Sequence, residues 1–181
     1  MEYRAARAFP AEYGLLGLLL DGPAHGYDLQ QRLQEDLGAV WHVAWSQLYN
    51  VLHELEERGW VAAATSDSPS GPPRHTYSIT ARGRRAFFEW TFAPVARLRD
   101  LRLEFLVKVH FLRKHAPDEL DPLLARQSDA LRQVVADQGA LGGAPWVAAV
   151  AASFRRHQTE SALAWIDEVR RSLKKEGKDK K

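Results

Sequence analysis

The sequence predicts a mainly α-helical protein with a small β-hairpin wing: a winged helix-turn-helix domain followed by an α-helical dimerisation domain. Two observations predict this fold. Three short helical segments precede two short strands that flank a loop rich in Pro and Gly, and the second half of the chain shows only helical apolar spacing. A generic α+β domain with a hairpin is the alternative, but three consecutive helices before the hairpin favour the winged arrangement.

The first two helices are predicted from breakers and caps. Residues 12–20 indicate a short buried helix, which the Asp-Gly-Pro sequence at 21–23 ends. A second helix is expected to begin at His25 and to end near Gly38, a residue type that suits helix C-termini.

The third helix is predicted to begin at Ser46, whose hydroxyl can cap its first turn. It ends at Gly59, and its buried stripe consists of Leu48, Val51, Leu52 and Leu55. Residues 60–65 and 75–79 then predict two strands around a turn-rich loop at 66–74. Thr80 can cap a fourth helix that runs to about residue 92.

The second half predicts three helices, at 98–115, from Pro117 or Pro122 to about 138, and from 145 to about 174. The last would be about 43 Å long at 1.5 Å per residue, more than a three-helix unit needs. We therefore expect self-association as a homodimer, with packing on the winged domain as the alternative. The expected dimerisation residues lie on the apolar stripes: Leu101, Phe105, Val109, Leu112, Phe154, Trp165 and Val169.

The predicted domains are residues 1–92, the winged unit, and 93–174, the dimerisation unit. Residues 175–181 form a basic segment that we expect to be disordered, and that either adds nonspecific DNA affinity or is simply solvated. The net charge is +2 and the isoelectric point is near 9.0. Seven of the 25 basic residues lie among the last twelve residues, so the global charge is not evidence that the body of the protein binds DNA.

Composition excludes several classes of function. The 181 residues are 45% hydrophobic and 27% charged, as in a globular protein. With no cysteine there is no disulfide framework and no thiolate nucleophile. The longest apolar run, at 15–20, is too short to span a bilayer, and the N-terminus shows no secretory pattern, so we expect a cytoplasmic protein without a membrane partner.

Catalytic and metal-binding patterns are not found. The seven histidines form no H-E-x-x-H pair, and the sequence has no G-x-S-x-G elbow, P-loop or G-x-G-x-x-G. We therefore expect no enzyme activity, no metal and no cofactor.

The exposed face of the third helix is the strongest functional signal. At 100° per residue, the side opposite the leucine stripe carries polar, uncharged groups that can bond to base edges in the major groove of double-stranded DNA. The expected DNA-binding residues are Ser46, Gln47, Tyr49, Asn50 and His53, with Arg74 and His75 at the hairpin tip for the minor groove or a phosphate. A solvated helix face is the alternative.

The tryptophans allow two interpretations. Trp41, Trp45 and Trp90 lie near the winged domain and its junction with the second half. They either pack in the core and at interfaces, or line a flat pocket for an aromatic or apolar small-molecule effector.

Five segments together resemble the PadR-like transcriptional regulators. They are YGLLGLL at 13–19, GPAHGYDL at 22–29, SQLYNVL at 46–52, GWV at 59–61 and PRHTYSITARG at 73–83. Residues 89–90, 98–100, 108, 111–112 and 117–120 resemble, more loosely, the longer helical C-terminal domain of the virulence-activator-like branch.

The resemblance implies a homodimeric repressor, less often an activator, that binds an inverted-repeat operator. It implies dimerisation by the C-terminal helices and, in some members, release from DNA by a small ligand. Tyr49 matches a tyrosine that contacts the DNA backbone in this family, and Arg74 matches its basic wing position. One departure is that the third helix has no Lys or Arg before Arg58. The alternative is a winged-helix protein-interaction module without specific DNA binding, which the acidic balance of the first half favours.

Overall fold

The computed structural model describes residues 11–66, 74–136 and 145–179, with the side chains of all of these except 66, 74, 174 and 176–179. The first half contains four helices and a small sheet. Their bounds are α1 Ala11–Leu18, a 3₁₀ turn Leu19–Asp21, β1 Ala24–His25, α2 Gly26–Leu37, α3 Trp45–Glu57, β2 Val61–Ser66, β3 Arg74–Ile79 and α4 Ala81–Phe92.

The sheet has three antiparallel strands in the order β1-β3-β2. The β2–β3 hairpin pairs Val61 with Ile79 at its base and Ser66 with Arg74 at its far end. The short strand β1, which the sequence did not predict, pairs Ala24 with Tyr77 and so ties the start of α2 to the hairpin. This arrangement confirms the mainly helical fold with a hairpin wing.

The helix caps agree with the sequence in one case and differ in another. The Thr80 hydroxyl accepts a hydrogen bond from the backbone N–H of Gly83, at 3.0 Å, as expected. Ser46 does not cap α3, because the N-cap lies two residues earlier, at Ala44, and the N–H of Leu48 bonds to the Ala44 carbonyl. Ser46 therefore lies in the first turn with its side chain exposed.

The second half is helical among its described residues. Its bounds are a 3₁₀ segment Leu98–Arg102, α5 Glu104–His115, a 3₁₀ turn Pro117–Glu119, α6 Leu120–Ala136 and α7 Trp146–Asp179. The single helix expected over 98–115 is thus broken at Leu103, where φ is −127° and ψ is −65°.

The apolar residues form two cores. The first core gathers the inner faces of α1 to α4 with Val107 and Phe111 of α5, and Leu103 packs against it. The second core contains Leu101, Phe105 and Leu112, together with residues of α6 and α7. Helix α5 therefore serves both cores. The break at Leu103 has a physical reason. The 3₁₀ segment before it has three residues per turn, so Leu98 and Leu101 lie on the same side of that segment, towards the second core.

Three of the expected dimerisation residues are buried inside one chain. Leu101 is nearly covered, and Phe105 and Leu112 have no exposed surface, so these three do not lie on a surface that a second chain could contact. Val109, Trp165 and Val169 pack against the same second core, and the rings of Phe105 and Trp165 lie 6.0 Å apart. The prediction was wrong for the three buried residues because the stripe of α5 is covered by α6 and α7 of its own chain.

Helix α7 extends to Asp179, beyond the end expected near residue 174. The backbone of residues 175–179, for which disorder was expected, is helical in the structure, while 180–181 lie outside the described residues. Lys and Glu are good helix formers, so the sequence of this segment is compatible with the extension.

A charged cluster joins α5 to the first half of the chain; we call it the α5 seam. Lys114 Nζ lies 2.7 Å from Asp21 Oδ2 and 3.5 Å from Asp36 Oδ2. The ring nitrogens Nε2 of His110 and His115 lie 3.6 Å from Asp36 and 3.7 Å from Asp21. The seam fixes α5, and with it the second core, against the ends of α1 and α2.

Within the described ranges, no helix combines the length and hydropathy that a bilayer crossing requires.

Candidate nucleic-acid interface

Helix α3 buries one face completely and exposes the opposite one. Leu48, Leu52 and Leu55 have no exposed surface, so they fix the rotation of α3 against the first core. All five sequence-predicted residues on the other face are exposed: Ser46, Gln47, Tyr49, Asn50 and His53. The polar face expected from helical periodicity is therefore present on the surface.

The far end of that face is internally paired. His53 Nε2 lies 3.5 Å from Glu57 Oε1 one turn later, with both side chains largely exposed. Arg58, the first cation after the start of α3, pairs with Glu54 at 3.6 Å and lies over the ring of Trp60 at 5.4 Å. The C-terminal turns of α3 thus carry acids, and the N-terminal turns carry the neutral groups that suit base edges.

A cleft of about 380 Å³ adjoins the N-terminal half of α3, and we call it the α2 cleft. Its lining combines the start of α2, one residue of α3 and two of β3: His25, Gly26, Tyr27, Asp28, Tyr49, His75 and Tyr77. It therefore brings Tyr49 and His75, two of the predicted DNA-binding residues, to one concave surface.

Gly26 permits this arrangement. A Cβ at that position would lie 2.7 Å from the Tyr49 hydroxyl oxygen and 2.8 Å from its ring, too close for any larger residue without a shift of Tyr49. The Tyr49 hydroxyl therefore lies against the first residue of α2. Backbone N–H groups at a helix start attract anions, and a tyrosine hydroxyl donates to phosphate oxygens, so the two suit one phosphate.

Histidines connect the cleft to the hairpin. His25 Nδ1 lies 3.1 Å from the backbone oxygen of His75 and 3.3 Å from the Thr76 hydroxyl. His75 Nδ1 lies 3.2 Å from the hydroxyl of Thr65 on the neighbouring strand. Burial raises the pKa of Tyr77 above its ordinary value, so this phenol keeps its proton and can donate a hydrogen bond.

Arg74 begins β3 opposite Ser66, at the end of the hairpin away from its base. Its side chain lies outside the described part of the chain, as does the loop at 67–73. Its role therefore stays a prediction from the sequence. The arginines at 82, 84 and 85 are exposed on the first turns of α4.

Three exposed aromatic side chains form a row that the sequence did not predict. The ring of Trp45 stacks on Tyr27 at 5.7 Å and on Tyr49 at 6.4 Å. Tyr27 is 65% exposed, and Trp45 and Tyr49 are each 46% exposed. We call these three residues the aromatic row; it extends from the start of α2 across the first turn of α3.

The three tryptophans expected around an effector pocket do not surround either of the two described cavities. Trp41 is buried in the first core, with its ring so close to Gly14 that a Cβ there would collide with it. Trp90 stacks on Tyr13 at 4.6 Å and donates from Nε1 to Glu104 at 3.0 Å, whereas Trp45 belongs to the aromatic row. Trp41 and Trp90 therefore fit the first interpretation given above, packing in the core and at interfaces.

A second exposed apolar surface lies on the N-terminal half of α7, and we call it the α7 patch. Its members are Trp146, Val147, Val150 and Phe154. Phe154, an expected dimerisation residue, is 62% exposed and borders a groove of about 670 Å³ beside the 3₁₀ segment Leu98–Arg102. Across the residues that the structure describes, no group of three or more His, Asp or Glu side chains is arranged to hold a metal ion.

Sequence reasoning missed the cleft residues His25, Gly26, Tyr27 and Tyr77. The segment His-Gly-Tyr-Asp at 25–28 was identified as the start of a helix and as part of the family resemblance, but not as part of a binding site. Since the first helix of a helix-turn-helix pair crosses the DNA backbone, the start of α2 could have been marked as part of the interface. Tyr77 carried no comparable signal, because only the strand pairing of β1 and β3 brings it there.

Comparisons with known proteins match the winged-helix region to one family. The family model of the PadR-like transcriptional regulators matches residues 15–89. The negative transcriptional regulator PadR of Bacillus subtilis strain 168 is 29% identical over 122 residues, which cover 65% of this chain and 67% of the relative. A probable transcriptional regulator of Mycobacterium tuberculosis is 24% identical over 185 aligned positions, which cover 89% of this chain and 96% of the relative.

Among solved structures, the chain resembles Bacillus subtilis PadR in complex with operator DNA. The identity is 19%, the TM-score is 0.47, and the match covers 90% of this chain and 97% of that chain. The resemblance stated from sequence motifs is confirmed by the family model, whose matched residues extend from α1 to α4 and contain the α2 cleft and α3. Residues 15–89, the winged-helix region, therefore match the PadR-like family of transcriptional regulators.

Proposed function

We propose that the protein is a cytoplasmic transcriptional repressor that binds an inverted-repeat operator as a homodimer. The observation that carries the proposal is the exposed N-terminal half of α3, where neutral polar side chains lie next to the α2 cleft. In this arrangement α3 enters the major groove, and Gln47 and Asn50 bond to base edges. The Tyr49 hydroxyl and the start of α2 hold a phosphate beside that groove.

The hairpin supplies the second part of the proposed contact. Strands β2 and β3 pair as a hairpin, and Arg74 and His75 lie at the start of β3, at the end of the hairpin away from its base. A basic side chain at a wing suits the minor groove or a phosphate. We also propose the division into a winged unit at 1–92 and a helical unit at 93–174. Helix α5 of the second unit packs on both cores.

The α7 patch supports the homodimer. It presents two large aromatic side chains and two valines to solvent along one helix. Exposed contiguous apolar surface of this kind marks association sites. A second copy related by a two-fold axis would cover it, and would also place two α3 helices for the two halves of an inverted repeat. No effector is part of this proposal, because the three tryptophans do not surround a cavity.

The test is binding-site selection from genomic fragments with the purified full-length chain, followed by gel shifts on the recovered sites. The expected result is an enriched inverted repeat that is bound in preference to scrambled DNA. An absence of retardation at low salt would overturn the proposal and favour the protein-interaction module, the alternative that the acidic first half suggested.

Arg74→Ala tests the wing on the selected operator. If Arg74 neutralises a phosphate, the variant releases fewer counterions on binding, and the slope of log affinity against log salt should become shallower by about 1 per phosphate. Arg156→Ala, on the exposed side of α7, removes the same charge and serves as the matched control. Equal slopes for both variants would remove Arg74 from the interface.

A further inference from the structure

We propose that Trp45, held in the aromatic row, recognises a thymine methyl group in the major groove of each operator half-site. This inference rests on the proposed DNA-binding function and names the chemistry that the first turn of α3 selects. Trp45 is the first residue of α3; it is 46% exposed, and its ring stacks on two tyrosine rings.

The position of the row makes DNA its natural partner. Tyr49 belongs both to the row and to the α2 cleft, where its hydroxyl lies against the start of α2. A phosphate held there would bring the edge of the major groove against the neighbouring ring of Trp45. The row is thus continuous with the proposed interface rather than a separate surface.

The chemistry of the row selects among the groups that DNA presents. The described face of α3 carries no cation before Arg58, and Arg58 is occupied by Glu54 and Trp60. An apolar ring face does not complement a phosphate. In the major groove the apolar group that distinguishes one base from the others is the C5-methyl of thymine.

Stacking on the two tyrosine rings restricts the rotation of the Trp45 side chain. The Trp45 ring stacks on Tyr27 and on Tyr49, with interplanar angles of 26° and 24°. A side chain supported by two rings loses little further rotational freedom on binding, so contact with a methyl group contributes with a small entropic cost. Tyr27 acts through Trp45 as a positioning residue.

The experiment replaces each thymine of the selected operator, one position at a time in both half-sites, by uracil. Uracil lacks only the methyl group and keeps every hydrogen bond of thymine. For the wild-type chain we expect one position at which the replacement weakens binding about 4-fold per half-site, or about 15-fold for both, from the transfer of one methyl group each. Replacements at other thymines should matter less.

The Trp45→Ala variant should bind more weakly and should lose this discrimination, with thymine and uracil operators bound within about 1.5-fold of each other. Trp45→Phe, which keeps an apolar ring, should retain sensitivity at the same position. Val134→Ala, an exposed apolar residue of α6, is the matched control and should keep the full wild-type ratio. Circular dichroism establishes that each variant is folded.

The outcomes separate the two proposals. If no operator is recovered, the proposed function itself fails. If an operator is recovered and no thymine replacement discriminates between wild type and Trp45→Ala, the thymine contact is overturned while DNA binding stands. A Trp45→Ala variant that binds weakly but keeps the wild-type ratio would show a merely structural role for the row and would also overturn the inference.

Discussion

The two cores of the molecule are both built from amphipathic helices and share α5, yet one is closed and the other is open at one end. In the first core the leucine stripe of α3 is covered along its whole length by neighbouring helices and the sheet. In the second core the covered part of α7 begins at Thr159, which is fully buried, as is Ile166. The preceding turns, from Trp146 to Phe154, form the exposed α7 patch.

Helix length explains the difference. At 1.5 Å per residue the 34-residue α7 is about 51 Å long, whereas the 17-residue α6 against which it packs is about 26 Å long. One chain therefore cannot cover α7 with α6 alone. An apolar stripe predicts which side of a helix is buried. The length of the partner helix determines how much of that stripe is buried within the chain.

The largest effect is expected at the centre of the second core. Phe105→Ala removes a ring with no exposed surface that packs against Trp165, and should lower the free energy of unfolding by about 3–5 kcal/mol. Phe154→Ala, on the exposed half of the same core's long helix, should change the unfolding of an isolated chain by under about 1 kcal/mol. Urea unfolding at low protein concentration compares the two, and equal decreases would contradict the closed-and-open distinction.

A smaller effect is expected where α5 meets the first core. A Cβ at Gly17 would collide with the ring of Phe111, so Gly17→Ala should destabilise by about 1–3 kcal/mol through overpacking. Intrinsic helix propensity acts in the opposite direction, because Ala is favoured over Gly by about 1 kcal/mol. A variant as stable as wild type, or more stable, would show that α1 and α5 are not in the close contact described.

Much of the first half could be predicted from the sequence because its signals are local. Apolar spacing in α3, the Thr80 cap and the strand-forming residues of the hairpin each depend on near neighbours in the chain. The exposed face of α3 followed directly from the buried one. The exposed positions on that face were therefore predicted without knowledge of the packing, and their contact with DNA stays a prediction.

The features that sequence reasoning missed depend on distant residues. The burial of Trp41 requires Gly14 on another helix, and the α2 cleft requires Tyr77 on a strand fifty residues from His25. The stripes of α5 were visible, but spacing does not say that Leu101 and Phe105 belong to one core while Leu103 and Val107 belong to another. Dimerisation residues were accordingly assigned to positions that the chain itself covers.

The third prediction concerns self-association through the α7 patch, where we expect an effect of intermediate size. Phe154→Asp places a charge in the α7 patch and should weaken self-association about 10-fold or more, equivalent to at least about 1.4 kcal/mol, because a buried unpaired carboxylate opposes association. Sedimentation equilibrium over a range of concentrations measures it. Asp in place of Ser172, on the exposed side of the same helix, adds the same charge as a control. Equal dissociation constants for the two variants would remove the patch from the dimer.

The smallest effect is expected at the α5 seam, and it depends on pH. Burial lowers the pKa of His115 below its ordinary value, while Asp21 opposes the shift and Lys114, His110 and Arg84 add to it. As the pH falls, the unfolded chain therefore binds a proton at this residue near pH 6.5, whereas the folded chain binds it only at a lower pH. The free energy of unfolding consequently decreases as the pH falls from about 6.5 towards the lowered pKa of the folded state.

His115→Gln removes the titrating group and should flatten this part of the stability profile, measured as the urea midpoint at a series of pH values between about 7 and 5. His157→Gln, at an exposed position on α7, is the control and should leave the slope of wild type in place. If the His115→Gln profile falls as steeply as that of wild type, the acid sensitivity belongs to other groups.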